Sequence, residues 1–170
     1  AYFKSQIPNN AVKWVDTQNL HLTIKFIGDL PEEKLPAAKS LIGKALKEFS
    51  PFSVDIEGLG VFPHADRPRV IWLGVEQGEQ LGEIHKVLEN ELEEIGVKRE
   101  NRDFHPHLTI GRVRRDVERD VLDEIAKTFS QFKVGSLGQA EIKEIHLYQS
   151  KLTQQGPIYT SLFAVSLHQV

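Results

Sequence analysis

The sequence predicts a mixed fold of about three helices and seven or eight strands, and three observations carry that expectation. The tetrapeptide His21-Leu22-Thr23-Ile24 recurs as His107-Leu108-Thr109-Ile110, and each copy alternates apolar and polar side chains as a strand does. Each copy is followed by a run whose apolar residues return at helical spacing. Between and beyond these runs lie further alternating, β-branched segments.

Taken in order, the first strand spans the segment from Trp14 to Gly28, with Leu22, Ile24 and Phe26 on one face and His21, Thr23 and Lys25 on the other. Asp29-Leu30-Pro31-Glu32-Glu33 reads as a helix start, with proline and acids in the first turn. Leu35, Ala38, Ile42, Ala45, Leu46 and Phe49 then make one stripe. Strands follow at 52–57 and 69–75, and a helix carries Leu81, Ile84, Leu88, Leu92 and Ile95. The second motif strand covers 104–113, with Leu108 and Ile110 opposing His107 and Thr109. Asp116 leads into a third stripe of Val117, Val121, Leu122, Ile125 and Phe129, and strands are expected at 132–134, 140–148 and 158–165.

With 170 residues, 40% of them hydrophobic, the chain can bury a proper core as one compact unit or two closely packed lobes. It has no cysteine, which excludes disulfides, thiolate catalysis and Cys-type zinc sites. No apolar run approaches a membrane span and no signal peptide is visible, so the expectation is a soluble cytoplasmic protein. A net charge of -3 argues against broad binding along nucleic acid backbones, but not against gripping one phosphate. Lys25, Arg112, Arg114 and Arg115 would give a local positive field near the motifs, with Arg114-Arg115 equally readable as a solvated loop.

Two His-x-Thr pairs suit hydrolysis of a phosphodiester. One imidazole takes a proton from attacking water, the other gives one to the leaving oxygen, and an unperturbed imidazole titrates near pH ~6.5. Each threonine hydroxyl can donate to a phosphate oxygen, so the arrangement needs no metal and no cofactor. A cyclic phosphate is a favourable substrate because ring strain lowers its barrier. Arg112 could offset the phosphate charge, although strict alternation sends it to the face opposite His107 and Thr109. Gly111 offers a way out, since glycine within a strand often marks a bulge.

The other histidines carry less. His105 and His107 have a ligand-like spacing with no further Cys or acidic cluster to complete a metal site. His85 is expected on a helix surface, His64 in a loop, and His146 and His168 follow no pattern. Phe26 and Tyr159 are candidates to stack a terminal base, with core packing the stronger expectation for Phe26.

The segments His21-Leu22-Thr23-Ile24-Lys25-Phe26-Ile27-Gly28 and His105-Pro106-His107-Leu108-Thr109-Ile110-Gly111-Arg112-Val113 closely resemble the paired motifs of the 2H phosphoesterase superfamily. More narrowly they resemble its RNA 2′,3′-cyclic phosphodiesterase branch, also called 2′-5′ RNA ligases. The segments 58–63, 67–75 and 156–159 agree, so the resemblance covers nearly the whole chain. It implies an α+β fold with two lobes, pseudo-twofold symmetry, and two antiparallel sheets facing a central cleft with helices outside. The whole chain, 1–170, would then be a single domain of two intertwined lobes. The resemblance also implies that His21 is the general acid and His107 the general base, with Thr23, Thr109 and Arg112 binding phosphate. The implied substrate is RNA with a 2′,3′-cyclic phosphate end, opened to a 2′-phosphate, and tRNA fragments are a further implied partner of what is expected to be a monomer. The family begins with a strand and helix ahead of the first motif, and the strand is expected to be missing here. A non-catalytic RNA-end or nucleotide-binding module and a small-molecule cyclic nucleotide phosphodiesterase are the alternative readings.

Overall fold

The computed structural model describes residues 2–8, 10–153 and 156–168. It is an α+β protein whose chain divides into two compact units, each assembled from three separate segments. One unit runs up to Thr23 and includes Val54–Gly78 and His105–Ala140; the other holds Ile24–Ser53, Glu79–Phe104 and the chain from Glu141 onward.

The elements are α1 (Tyr2–Ser5), β1 (Val12–Trp14), α2 (Leu35–Leu46), β2 (Phe52–His64), β3 (Arg67–Glu76), α3 (Glu79–Glu93), β4 (His107–Val113), α4 (Arg119–Gln131), β5 (Ser136–Ile142), β6 (Glu144–Thr153) and β7 (Gly156–Ser166). A five-stranded sheet has the order β1-β4-β3-β2-β5, and β6 and β7 pair as a separate antiparallel ribbon. The three expected helices are present, and the acidic start at Glu32 is a short 3-10 turn, Glu32–Lys34, that feeds α2.

Several sequence expectations give way, among them a loop position for His64, which lies in β2, and a surface position for His85, which is buried. Residues 132–134 form no strand, and the Val134 carbonyl accepts from the Gly58 N–H. The segment 140–148 is split between β5 and β6, with a break at Lys143, whose carbonyl accepts from Leu167. Lys25 leaves the polar face of the first motif and is buried against Glu89. The first tetrapeptide is not a full strand and makes a single bridge, Leu22 to Leu108.

In the first unit the sheet has two chemically distinct faces. One buries Val12, Ile71 and Val113 with Ile7, Ala11 and Ile125 of α4, and Trp14, Val61, Ile110 and Leu122 pack on that cluster. Period-two alternation therefore sends Lys13, Trp72 and Phe62 to the opposite face. In the second unit α2 buries Ala38, Ile42, Ala45 and Leu46, and α3 buries Leu81, Ile84, Leu88 and Leu92. Each stripe returns at three- and four-residue steps, as one face of an amphipathic helix does.

Candidate active site

The bridge between Leu22 and Leu108 sets two identical tetrapeptides antiparallel to one another. Antiparallel pairing of like sequences generates a local dyad through the bridged pair. His21 then stands opposite Thr109, and Thr23 opposite His107. Leu108 also pairs with Leu73, on the same side of the sheet as Ile71, so the two leucines face the core and the four polar side chains share the other face. The imidazoles fall on one diagonal of this square, a relation that in a regular antiparallel pair corresponds to roughly 7–8 Å between backbones. That separation suits two groups reaching a single phosphorus.

Both imidazoles are held alike. His21 Nδ1 lies 2.7 Å from the Asn19 carbonyl oxygen, and His107 Nδ1 lies 2.7 Å from the His105 carbonyl oxygen. A carbonyl can only accept, so Nδ1 carries a hydrogen in each ring, and Nε2 is the nitrogen that can gain or lose a proton while that bond is kept. Local sequence prepares each acceptor. Asp16 caps the 3-10 turn Thr17–Asn19 by accepting from the Gln18 N–H, and that turn presents the Asn19 carbonyl. Pro106 restricts His105 to extended backbone and gives its own carbonyl to the Val75 N–H.

The irregularity that Arg112 requires is present one residue before Gly111. On β3, Trp72 pairs with Thr109 and Ile71 with Gly111, which leaves Ile110 as the extra residue of a bulge. Ile110 packs on the core cluster, and Gly111 is buried where an added Cβ would come within 2.8 Å of Val12 and 3.0 Å of Trp14. Two successive residues thus face the core. Arg112 resumes on the face of Thr109 and His107, opposite both Val70 and Lys13.

His21, Thr23, His107, Thr109 and Arg112 all belong to the first unit. Phe26 and Tyr159 belong to the second. Phe26 is 68% exposed, which overturns its expected core packing, and Tyr159 meets Tyr148 edge-on at 6.2 Å. Of the expected local cations, Arg114 and Arg115 are exposed.

Two neighbours of His107 were not singled out from sequence. Phe62 meets its ring edge-on at 5.2 Å, and Trp72 lies 6.1 Å from it and 5.1 Å from Phe62. The signal was available: in β3 Val70, Trp72 and Gly74 alternate against Ile71, Leu73 and Val75, so a large aromatic sits on the face away from the helix. Gly60, paired with Trp72, makes room for the indole. Among the described residues no group of three or more His, Cys, Asp or Glu side chains is placed to hold a metal ion.

Residues 5–152 match the family model of the 2′-5′ RNA ligase superfamily. An RNA 2′,3′-cyclic phosphodiesterase of Methanothermobacter thermautotrophicus is 40% identical over 151 residues, 89% of this chain and 80% of that protein. One of Methanocaldococcus jannaschii is 39% identical over 160 residues, 94% of this chain and 87% of that protein. Among solved structures, a Thermus thermophilus protein superposes with a TM-score of 0.81 at 26% identity, covering 98% of this chain and 87% of that one. E. coli LigT complexed with 3′-AMP superposes with a TM-score of 0.76 at 26% identity, covering 99% of this chain and 88% of that one.

Proposed function

The chain belongs to the 2′-5′ RNA ligase superfamily, and from that premise we propose that it hydrolyses 2′,3′-cyclic phosphate ends of RNA to 2′-phosphomonoesters without a metal or other cofactor. The observation that carries this reading is the matched anchoring of two imidazoles, each donating from Nδ1 to the carbonyl two residues back, on motifs paired through Leu22 and Leu108.

The chemistry follows from the tautomer. Neutral His107 accepts a proton at Nε2 from water as the water oxygen bonds to phosphorus. The bond from phosphorus to the 3′ oxygen breaks, and protonated His21 donates from Nε2 to that departing oxygen. The 2′ ester survives as the product. Thr23, Thr109 and Arg112 donate to the non-bridging oxygens and hold phosphorus between the rings. Assignment of acid to His21 and base to His107 rests on the family resemblance, since the local dyad makes the two positions equivalent in backbone terms.

The reading extends to Phe26 and Tyr159 as stacking surfaces for the terminal base, favoured by the exposure of Phe26. It treats the chain as one domain of two interleaved lobes acting as a monomer, because one chain supplies all five proposed phosphate residues. The cytoplasm is its proposed location and tRNA fragments are among its proposed RNA substrates; no helix among the described residues is long and apolar enough to cross a membrane.

The test is turnover of a nucleoside 2′,3′-cyclic phosphate and of an oligonucleotide ending in one, with and without EDTA. We expect a 2′-phosphate product from both and rates unaffected by chelation. Binding without turnover would favour the non-catalytic module, turnover of the mononucleotide alone would favour a small-molecule phosphodiesterase, and a rate abolished by EDTA and restored by a divalent ion would end the metal-free mechanism.

A further inference from the structure

The polar residues His85 and Glu89 are both buried, each 7% exposed. They stand one helical turn apart on α3, beside the apolar stripe that already anchors that helix. Burying such groups is unfavourable unless they are bonded, and their partners here are specific.

His85 Nδ1 lies 2.7 Å from the carbonyl oxygen of Ile24, the last residue of the first tetrapeptide. The same ring stacks on Phe104 at 4.5 Å and 7°, and Phe104 directly precedes His105, whose carbonyl orients His107. Glu89 extends the arrangement. Its Oε1 is 2.5 Å from Lys25 Nζ, its Oε2 accepts from the Glu100 N–H at 3.1 Å, and Lys25 Nζ also donates to the Lys98 carbonyl at 2.8 Å. The chain leaves the first unit after Thr23 and re-enters it at His105, so this cluster grips the residues next to both passages.

We propose that His85 is a positioning residue for the proposed hydrolysis: its Nδ1–H fixes the Ile24 carbonyl, and through that peptide the placement of Thr23 and His21. This rests on the hydrolase reading above. The carbonyl acceptor requires the hydrogen on Nδ1, while Nε2 is 3.8 Å from Glu89 Oε1, beyond hydrogen-bond range. The ring therefore acts on Ile24 as a donor through Nδ1. Motion of a phosphate-holding group by about 1 Å is enough to slow a reaction on the order of 10²-fold.

Two amide replacements separate positioning from mere support. In His85→Asn the side-chain NH2 falls near the Nδ1 position and keeps the bond to Ile24; in His85→Gln it falls near Nε2 and loses it. Both variants lose the stack on Phe104, so their melting temperatures should drop together. On a nucleoside 2′,3′-cyclic phosphate we expect His85→Asn to keep kcat/KM within about threefold and His85→Gln to lose at least about tenfold. The backbone amide signal of Lys25, whose nitrogen shares a peptide with the Ile24 carbonyl, and the ring signals of His21 should shift in His85→Gln and stay near wild type in His85→Asn. Equal losses in the two variants, or signals that move alike, would overturn the proposal. A wild-type chain with no turnover would sink the hydrolase reading instead, and the NMR comparison would still decide whether His85 holds the motif.

Discussion

Replacing Gly60 with Ala should disable the site from beneath without touching a proposed catalytic residue. A Cβ at position 60 would lie 2.1 Å from Trp72 Cζ2 and 2.3 Å from Cη2. Carbon atoms pack at about 3.5 Å, so the indole would have to retreat by roughly 1.4 Å. The strand beneath it cannot follow, because Ile71 on its other face is 0% exposed. The ring must move within its own face, where Phe62 and His107 are its neighbours at 5.1 and 6.1 Å. Overpacking of this kind costs about 1–3 kcal/mol, and each kcal/mol lowers Tm by about 2–4 °C in a protein of this size. A shift of about 1 Å passed to His107 should lower kcat on a cyclic mononucleotide by about 10- to 100-fold. Calorimetry and initial rates on Gly60→Ala, Trp72→Phe and the double variant complete the experiment. The smaller phenyl ring leaves room for the new methyl, so the double variant should be little worse than Trp72→Phe alone, a strongly non-additive cycle. Wild-type kcat and Tm in Gly60→Ala, or strictly additive effects, would refute the reasoning.

Division of labour between the histidines can be read with leaving groups. His21→Ala and His107→Ala should each lose about 10² to 10⁴ in rate on a cyclic nucleotide. On a nitrophenyl phosphodiester, whose leaving group departs without a proton, His21→Ala should recover much of its activity and His107→Ala should not; recovery by His107→Ala alone would exchange the roles. Rate against pH should form a bell, rising as the base loses its proton and falling as the acid loses its own, and the rising limb should vanish in His107→Ala. Arg112→Gln should raise KM and lower kcat together by about tenfold or more through loss of a charge-assisted contact to phosphate, and an unchanged kcat/KM would remove Arg112 from the site.

The three long helices are legible in the sequence alone, because their stripes at 38–46, 81–92 and 121–125 return at the helical period, and so is the adjacency of the two tetrapeptides, which bridge at Leu22 and Leu108. Periodicity is a local property, so a linear reading recovers it. Contacts between distant segments settle the rest. The first tetrapeptide has strand patterning but just one bridge, because the 3-10 turn at Thr17–Asn19 interrupts the edge that β1 begins. Lys25 has the alternation of a site-facing cation and is instead drawn to Glu89, far along the chain, by a charge partner that no local pattern reveals. Phe26 has the pattern of a core residue and is exposed, while His85 has that of a surface residue and is buried. In both cases burial depends on what packs against the residue from a distant segment. The face taken by Arg112 turns on a bulge at Ile110, which arises from the register of β4 against β3. Register is a relation between strands, and a single strand's sequence does not contain it.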